Sequence, residues 1–123
     1  MNDILIKLNY KKWETETSEF SNNGTSIIEK WQKRITKDEY PLCELNDKLF
    51  ININKNIITL NDVENISYKV YITAETNDIW SNLNYYSLSI KDIDKIGGIS
   101  VIEYNLLELW KLNYKLINKK GLI

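Results

Sequence analysis

One stretch, Ile102 to Asn118 (IEYNLLELWKLNYKLIN), limits what this chain can fold into more than any other. At about 100° per residue, Leu106, Leu107, Leu109, Trp110, Leu112, Tyr114, Leu116 and Ile117 spread over roughly 220° of a helical wheel, with Glu108, Lys111, Lys115 and Asn118 on the remaining side. A helix resting on a single surface needs an apolar stripe only somewhat over 100° wide, so this one calls for cover from more than one direction. Asn113 stands near the middle of that arc. If buried, its amide has to find hydrogen-bond partners, which makes it either a tie to the surface that covers the helix or the point where the arc meets a second surface.

At 123 residues and 43% hydrophobic content, residues 1–123 are expected to form a single globular domain with a real core. Cys43 is the sole cysteine. It has no intramolecular disulfide partner and no metal-ligand spacing around it, so it reads as a partly buried thiol in a reducing compartment. The first ten residues lack the basic start and apolar run of a signal peptide, and no window reaches the length of a membrane span. A cytoplasmic location and no membrane partner are the expectations.

Along the chain, Asp3 to Tyr10 alternates Ile4, Ile6, Leu8 and Tyr10 with polar residues and reads as a half-buried strand. Lys11 to Asn23 loses that period and reads as a loop tethered by Trp13 and Phe20. Ser26 with Glu29 three residues on has capping-box spacing, and Ile28, Trp31 and Ile35 follow, which predicts a helix over 26–37. Tyr40-Pro41 separates it from a hairpin of Leu42–Leu45 and Leu49–Ile53 turning at Asn46-Asp47. A turn at Asn54–Asn56, a strand Ile57–Leu60 and a turn at Asn61-Asp62 lead to Ile66–Thr73, the clearest alternation in the chain. Its polar face implies an antiparallel sheet wet on one side. Ala74–Asn84 reads as a loop, Tyr86–Ile90 as a strand, Lys91–Ile96 as a charged connection, Gly97-Gly98 as a reversal and Ile99–Ile102 as the last strand. Asn105 suits the N-cap of the final helix, whose apolar period also admits a start a few residues earlier, and Gly121 marks its end. The expected fold class is α+β: a mainly antiparallel sheet of five or six strands, one internal helix and a C-terminal helix packed on it.

Absences narrow the chemistry. Without histidine the chain lacks the commonest general base, the usual triads and most zinc sites. Gly97-Gly98 has neither the Lys-Ser/Thr nor the strand-to-helix context of a phosphate loop. The carboxylate pairs Asp62/Glu64 and Asp92/Asp94 read as solvated charges rather than acid-base machinery. No enzyme activity, cofactor or metal is therefore expected. With a net charge of −1 and a pI near 5.5, a nucleic-acid partner is not expected either.

Charge is unevenly spread. Residues 41–110 carry twice as many acids as bases, whereas 111–123 hold four lysines and no acid. A helix dipole accounts for the lysines, while an acidic centre suits a basic partner. Trp31 and Trp110 fall on predicted helix faces and read as core. Trp13 and Trp80 fall in predicted loops, where structural anchoring and partner contact are equally open. Trp80 stands among Glu75, Asp78, Tyr85 and Tyr86, a mixture suited to an aromatic anchor within a polar rim. The candidate partner-binding set is Asp62, Glu64, Glu75, Asp78, Trp80, Tyr85, Asp92 and Asp94.

A bias toward Ile, Asn and Lys, with Arg34 as the one arginine, points to AT-rich codons. In size, single-domain character, AT bias, acidic centre and lack of catalytic motifs, the chain resembles the immunity proteins of bacterial polymorphic-toxin and contact-dependent growth inhibition systems. The resemblance lies in general character and carries no motif. It implies a cognate toxin domain as partner, such as a basic nuclease, whose active site or substrate access the protein blocks. A phage-encoded inhibitor of a host defence protein shares the same features, and a small ligand-binding domain or histidine-free enzyme would show instead a deep polar pocket.

Overall fold

The computed structural model describes residues 1–20, 23–36, 49–74 and 84–121; of 74, 84–87 and 113–121 only the backbone is described. The order is α1 (Asn2–Lys7), β1 (Lys11–Phe20), β2 (Gly24–Ile35), β3 (Leu49–Leu60), β4 (Val63–Ala74), β5 (Asn84–Leu88), α2 (Ile90–Ile96) and α3 (Ile99–Gly121). The four long strands form an antiparallel meander in sequence order, and the short β5 pairs along β4. The architecture is α+β.

Directly opposed residues in antiparallel strands share a face, so the register assigns both sides of the sheet. The inner face carries Trp31 and Ile35, Leu49, Ile51 and Ile53, and Tyr68, Val70 and Ile72, all buried with Leu5, Tyr10, Ile93, Ile99, Ile102, Leu106, Leu107 and Trp110 from the connections and helices. These core positions fill only half the sheet. β2, β3 and β4 each run 12 residues, roughly 40 Å, but toward the β1–β2 and β3–β4 turns the inner positions Ile27, Ile57 and Ile66 are only half-buried. The sheet thus has a base covered by helices and a tip that projects beyond them.

Several elements differ from the sequence expectation. The helix expected over 26–37 gives way to a strand: residues 24–35 are β2. Its inner face reads Ile27, Glu29, Trp31, Lys33, Ile35, and the two charges mask the period of two. Both are partnered. The Trp31 indole Nε1 donates to Glu29 at 3.3 Å, and Lys33 Nζ lies 2.9 Å from both Glu103 carboxylate oxygens. Within the expected loop Lys11–Asn23, residues 11–20 are instead the edge strand β1, formed by pairing with β2 rather than by burial. Its Thr side chains, Glu16 and Glu19 stay exposed, and charged edges of this kind resist strand addition by other chains.

Asp3–Tyr10 is not a strand. Met1, Leu5 and Leu8, spaced at i, i+4, i+7, pack against the core as one face of α1, while Ile4 and Ile6 are exposed. Asn9, at φ 71°, ends the turn and delivers Tyr10 to the core. No turn exists at Asn54–Asn56, where β3 continues with Asn54 and Asn56 outward and Lys55 Nζ donating to Asn2 of α1 at 3.3 Å.

Lys91–Ile96 belongs to helix α2. Ser89 caps it in a reciprocal box: Asp92 N donates to Ser89 Oγ at 3.1 Å, and Ser89 N and Oγ each donate to Asp92 Oδ2 at 2.9 Å. Ile90 opens that helix rather than ending a strand. Ile99–Ile102 is the first turn of α3, so Asn105 lies inside the helix and is not its N-cap. Gly97 and Gly98, at φ 115° and 98°, make the reversal between the two helices. The Asn61-Asp62 turn stands where the residues suggested, both at positive φ as a two-residue hairpin needs. The Asn46-Asp47 hairpin and Tyr40-Pro41 lie outside the described residues, as does the Asn113 side chain.

α3 lies against β4 and α2, with Ile99, Ile102, Leu106 and Trp110 buried on one face. Glu103 on the same helix reaches β2. Tyr10 Oη donates to Glu103 Oε1 at 2.5 Å, and Lys33 Nζ lies 5.1 Å from the Tyr10 ring centroid. Lys33 and Glu103 are both largely removed from solvent, so Glu103→Gln should lower the unfolding free energy by about 3 kcal/mol in urea titrations. The paired Lys33→Met/Glu103→Leu variant should recover most of that loss, because it leaves no lone buried charge.

The capping box supplies a pH dependence. The hydrogen bond from the Ser89 backbone, and then that from its hydroxyl, hold the Asp92 carboxyl below its ordinary pKa. Its stabilising contribution is full above the ordinary carboxylate range and disappears as pH falls through the lowered value. Ser89→Ala should therefore reduce the acid sensitivity of helix content measured by circular dichroism below pH ~4.

Candidate partner-binding surface

Strand register brings a row of apolar residues together at the tip of the sheet. Phe20 pairs with Gly24, Gly24 with Leu60, and Leu60 with Val63, all facing away from the helices. Phe20, Leu60 and Val63 are 46%, 45% and 61% exposed, which is high for three large apolar side chains on one rung. Gly24 makes the row possible. A Cβ there would lie 2.5 Å from Leu60 Cδ2 and 2.9 Å from Phe20 Cδ2, so those two side chains close over the glycine. Ile28 and Ile58, on neighbouring outward rungs, extend the apolar strip toward the middle of the sheet.

The same end is acidic. Glu19 and Glu64 stand one rung back on the opposite face, and Asp62 sits in the turn between Leu60 and Val63. Residues 17–27 and 57–66 contain these three carboxylates and no lysine or arginine. The projecting end is therefore a wedge with one apolar face and one acidic face. A positively charged cleft with an apolar wall complements both.

Among the described residues, the base of the sheet has a different character. A cavity of about 400 Å³ is lined by Asn9, Lys11, Trp13, Gln32, Lys33, Arg34 and Phe50, with no carboxylate among them. Trp13 is the extra residue where β1 bulges against β2, and it is 56% exposed. Lys30 Nζ lies 5.4 Å from its ring centroid while bonding Glu16 at 2.8 Å and Glu14 at 3.2 Å. Those bonds, first to Glu16 and then to Glu14, raise the Lys30 pKa.

Of the residues selected from sequence, Asp62 and Glu64 meet at the tip. Asp92 and Asp94 lie apart from them on α2, and Asp92 is committed to Ser89. Tyr85 contributes backbone pairing with Val70, and its side chain is outside the described residues, as are Glu75, Asp78 and Trp80. Phe20, Gly24, Leu60 and Val63 were not legible as a group. Their one signal is that Leu60 and Val63 bracket a turn-forming Asn-Asp pair, which puts them opposite each other on a hairpin.

Among the described residues, no three His, Cys, Asp or Glu side chains gather as a metal site, and no helix is long and apolar enough to cross a membrane. If the tip is an interface, Val63→Asp should leave the unfolding midpoint nearly unchanged, since the side chain is already mostly in water, and should abolish partner capture. Comparisons with protein-family models, curated proteins and solved structures found no match.

Proposed function

We propose that this chain is an immunity-type inhibitor, a small binding protein that neutralises a cognate bacterial toxin domain by occupying its active site or substrate path. The observation that supports this reading best is the projecting tip, where the exposed Phe20–Leu60–Val63 row backs onto Glu19, Asp62 and Glu64. Nucleases and other enzymes acting on polyanions present positive clefts, and a narrow two-faced wedge can enter one. Its carboxylates then stand in for substrate phosphates while the apolar row supplies the desolvated centre. An acidic binder of this kind also gains association rate by electrostatic steering.

The decisive experiment is co-expression with the product of the adjacent upstream gene, scoring complex formation and growth. Growth rescue by the native chain, lost in an Asp62→Gly/Glu64→Gln/Val63→Asp variant that still folds, is the expected result. Glycine suits the second position of this hairpin turn, so Asp62→Gly removes the charge without straining the backbone. Rescue undiminished by the triple variant would overturn the tip as the inhibitory surface. Absence of both complex and rescue with the native chain would overturn the immunity reading itself.

A further inference from the structure

The cavity at the base of the sheet is independent of the tip and has a different chemistry. Its lining joins two aromatic residues, Trp13 and Phe50, with Lys11 and Arg34. Register sets Lys11 opposite Gln32 and Arg34 opposite Phe50 on the outward face, so cations and aromatics alternate across three strands. Lys33 and Arg34 are not the charges available here, because the Lys33 ammonium is held by Glu103 on the inner side and Arg34 has interactions of its own. The acids nearest Lys11 in sequence, Glu14 and Glu16, are engaged by Lys30.

One polar group on this face is oriented in advance. Gln32 Nε2 donates to Asn52 Oδ1 at 2.9 Å, and Asn52 Nδ2 donates to Thr73 Oγ1 at 2.9 Å, with Asn52 buried. This chain of amides fixes the Gln32 side chain and leaves its Oε1 as an acceptor for a ligand amine. An aromatic surface for stacking, a fixed amide acceptor and Lys11, which has no carboxylate partner among the described residues, match a planar ring that carries both an amine and an anionic group.

We propose that this cavity binds a nucleoside monophosphate group, with the base against Trp13 and its phosphate toward Lys11. The group can belong to a free mononucleotide or to the end of a single strand. The tip plays no part in this contact.

The test is a titration of the isotope-labelled full chain by nuclear magnetic resonance, using AMP, adenosine, inorganic phosphate and a 5′-phosphorylated dinucleotide. AMP should shift the Trp13 indole and the amides of Lys11, Gln32 and Phe50 saturably, with adenosine and phosphate each roughly tenfold weaker or more. Trp13→Ala and Lys11→Gln should each weaken AMP at least about fivefold, and Asp62→Gly should change nothing. Lys11 is an exposed surface residue, so its variant keeps the test valid if Trp13→Ala unfolds. A dinucleotide about tenfold tighter than AMP assigns the strand end, and equal affinity assigns the free nucleotide. No saturable shift with AMP, shifts confined to other residues, adenosine binding as tightly as AMP, or an unaffected Lys11→Gln variant would overturn the proposal.

Discussion

The contact on which the rest of this structure depends is the ion pair between Lys33 and Glu103. It joins a strand in the first half of the chain to a helix near its end, and the Tyr10 hydroxyl adds a third segment to the same carboxylate. Removing two charges from water costs several kcal/mol per ion, and such a pair persists only when geometry and extra hydrogen bonds offset the loss. Here Lys33 reaches both carboxylate oxygens and faces the Tyr10 ring. The pair is thus a registration device as much as a stabilising one. Sliding β2 by one residue would expose Lys33 on the wrong face and bury Arg34 in its place.

That registration sets up the asymmetry of the sheet. The residues nearest the pair, Trp31, Ile51, Ile53, Val70 and Ile72, are buried beneath the helices. Farther along the same strands the cover ends, and the β3–β4 hairpin carries its Asn61-Asp62 turn into solvent. A projecting end of this kind contributes little to the core, so its composition is released from packing and can serve recognition. It holds three carboxylates and an exposed apolar row, while the opposite end gathers Lys11, Lys12, Lys33 and Arg34.

How much of this was readable beforehand differs by segment, for identifiable reasons. Ile66–Thr73 and the Asn61-Asp62 turn were legible because one face of β4 is buried and positive φ favours Asn and Asp. β2 was not, because Glu29 and Lys33 occupy inner positions whose partners are a tryptophan two residues away and a glutamate on a distant helix. β1 was not, because an edge strand exposed on both faces leaves no hydrophobic period to detect. The capping box at Ser89 and Asp92 was present in the sequence, but the short helix it starts resembles a charged connection by composition.

For the candidate site, the sequence placed Asp62 and Glu64 on a turn and marked the middle of the chain as acidic. It also determined the α+β class, the antiparallel character of the sheet and the helical C-terminal segment, because these follow from local periods and turn residues within each segment. The tertiary structure alone decided that Phe20, Leu60 and Val63 lie on one rung, that Asp92 and Asp94 stand apart from Asp62, and that Trp13 shares a cavity with Arg34 and Phe50. Those relations depend on strand register and on one buried ion pair between distant residues, and no local pattern records a partner that lies 70 residues away.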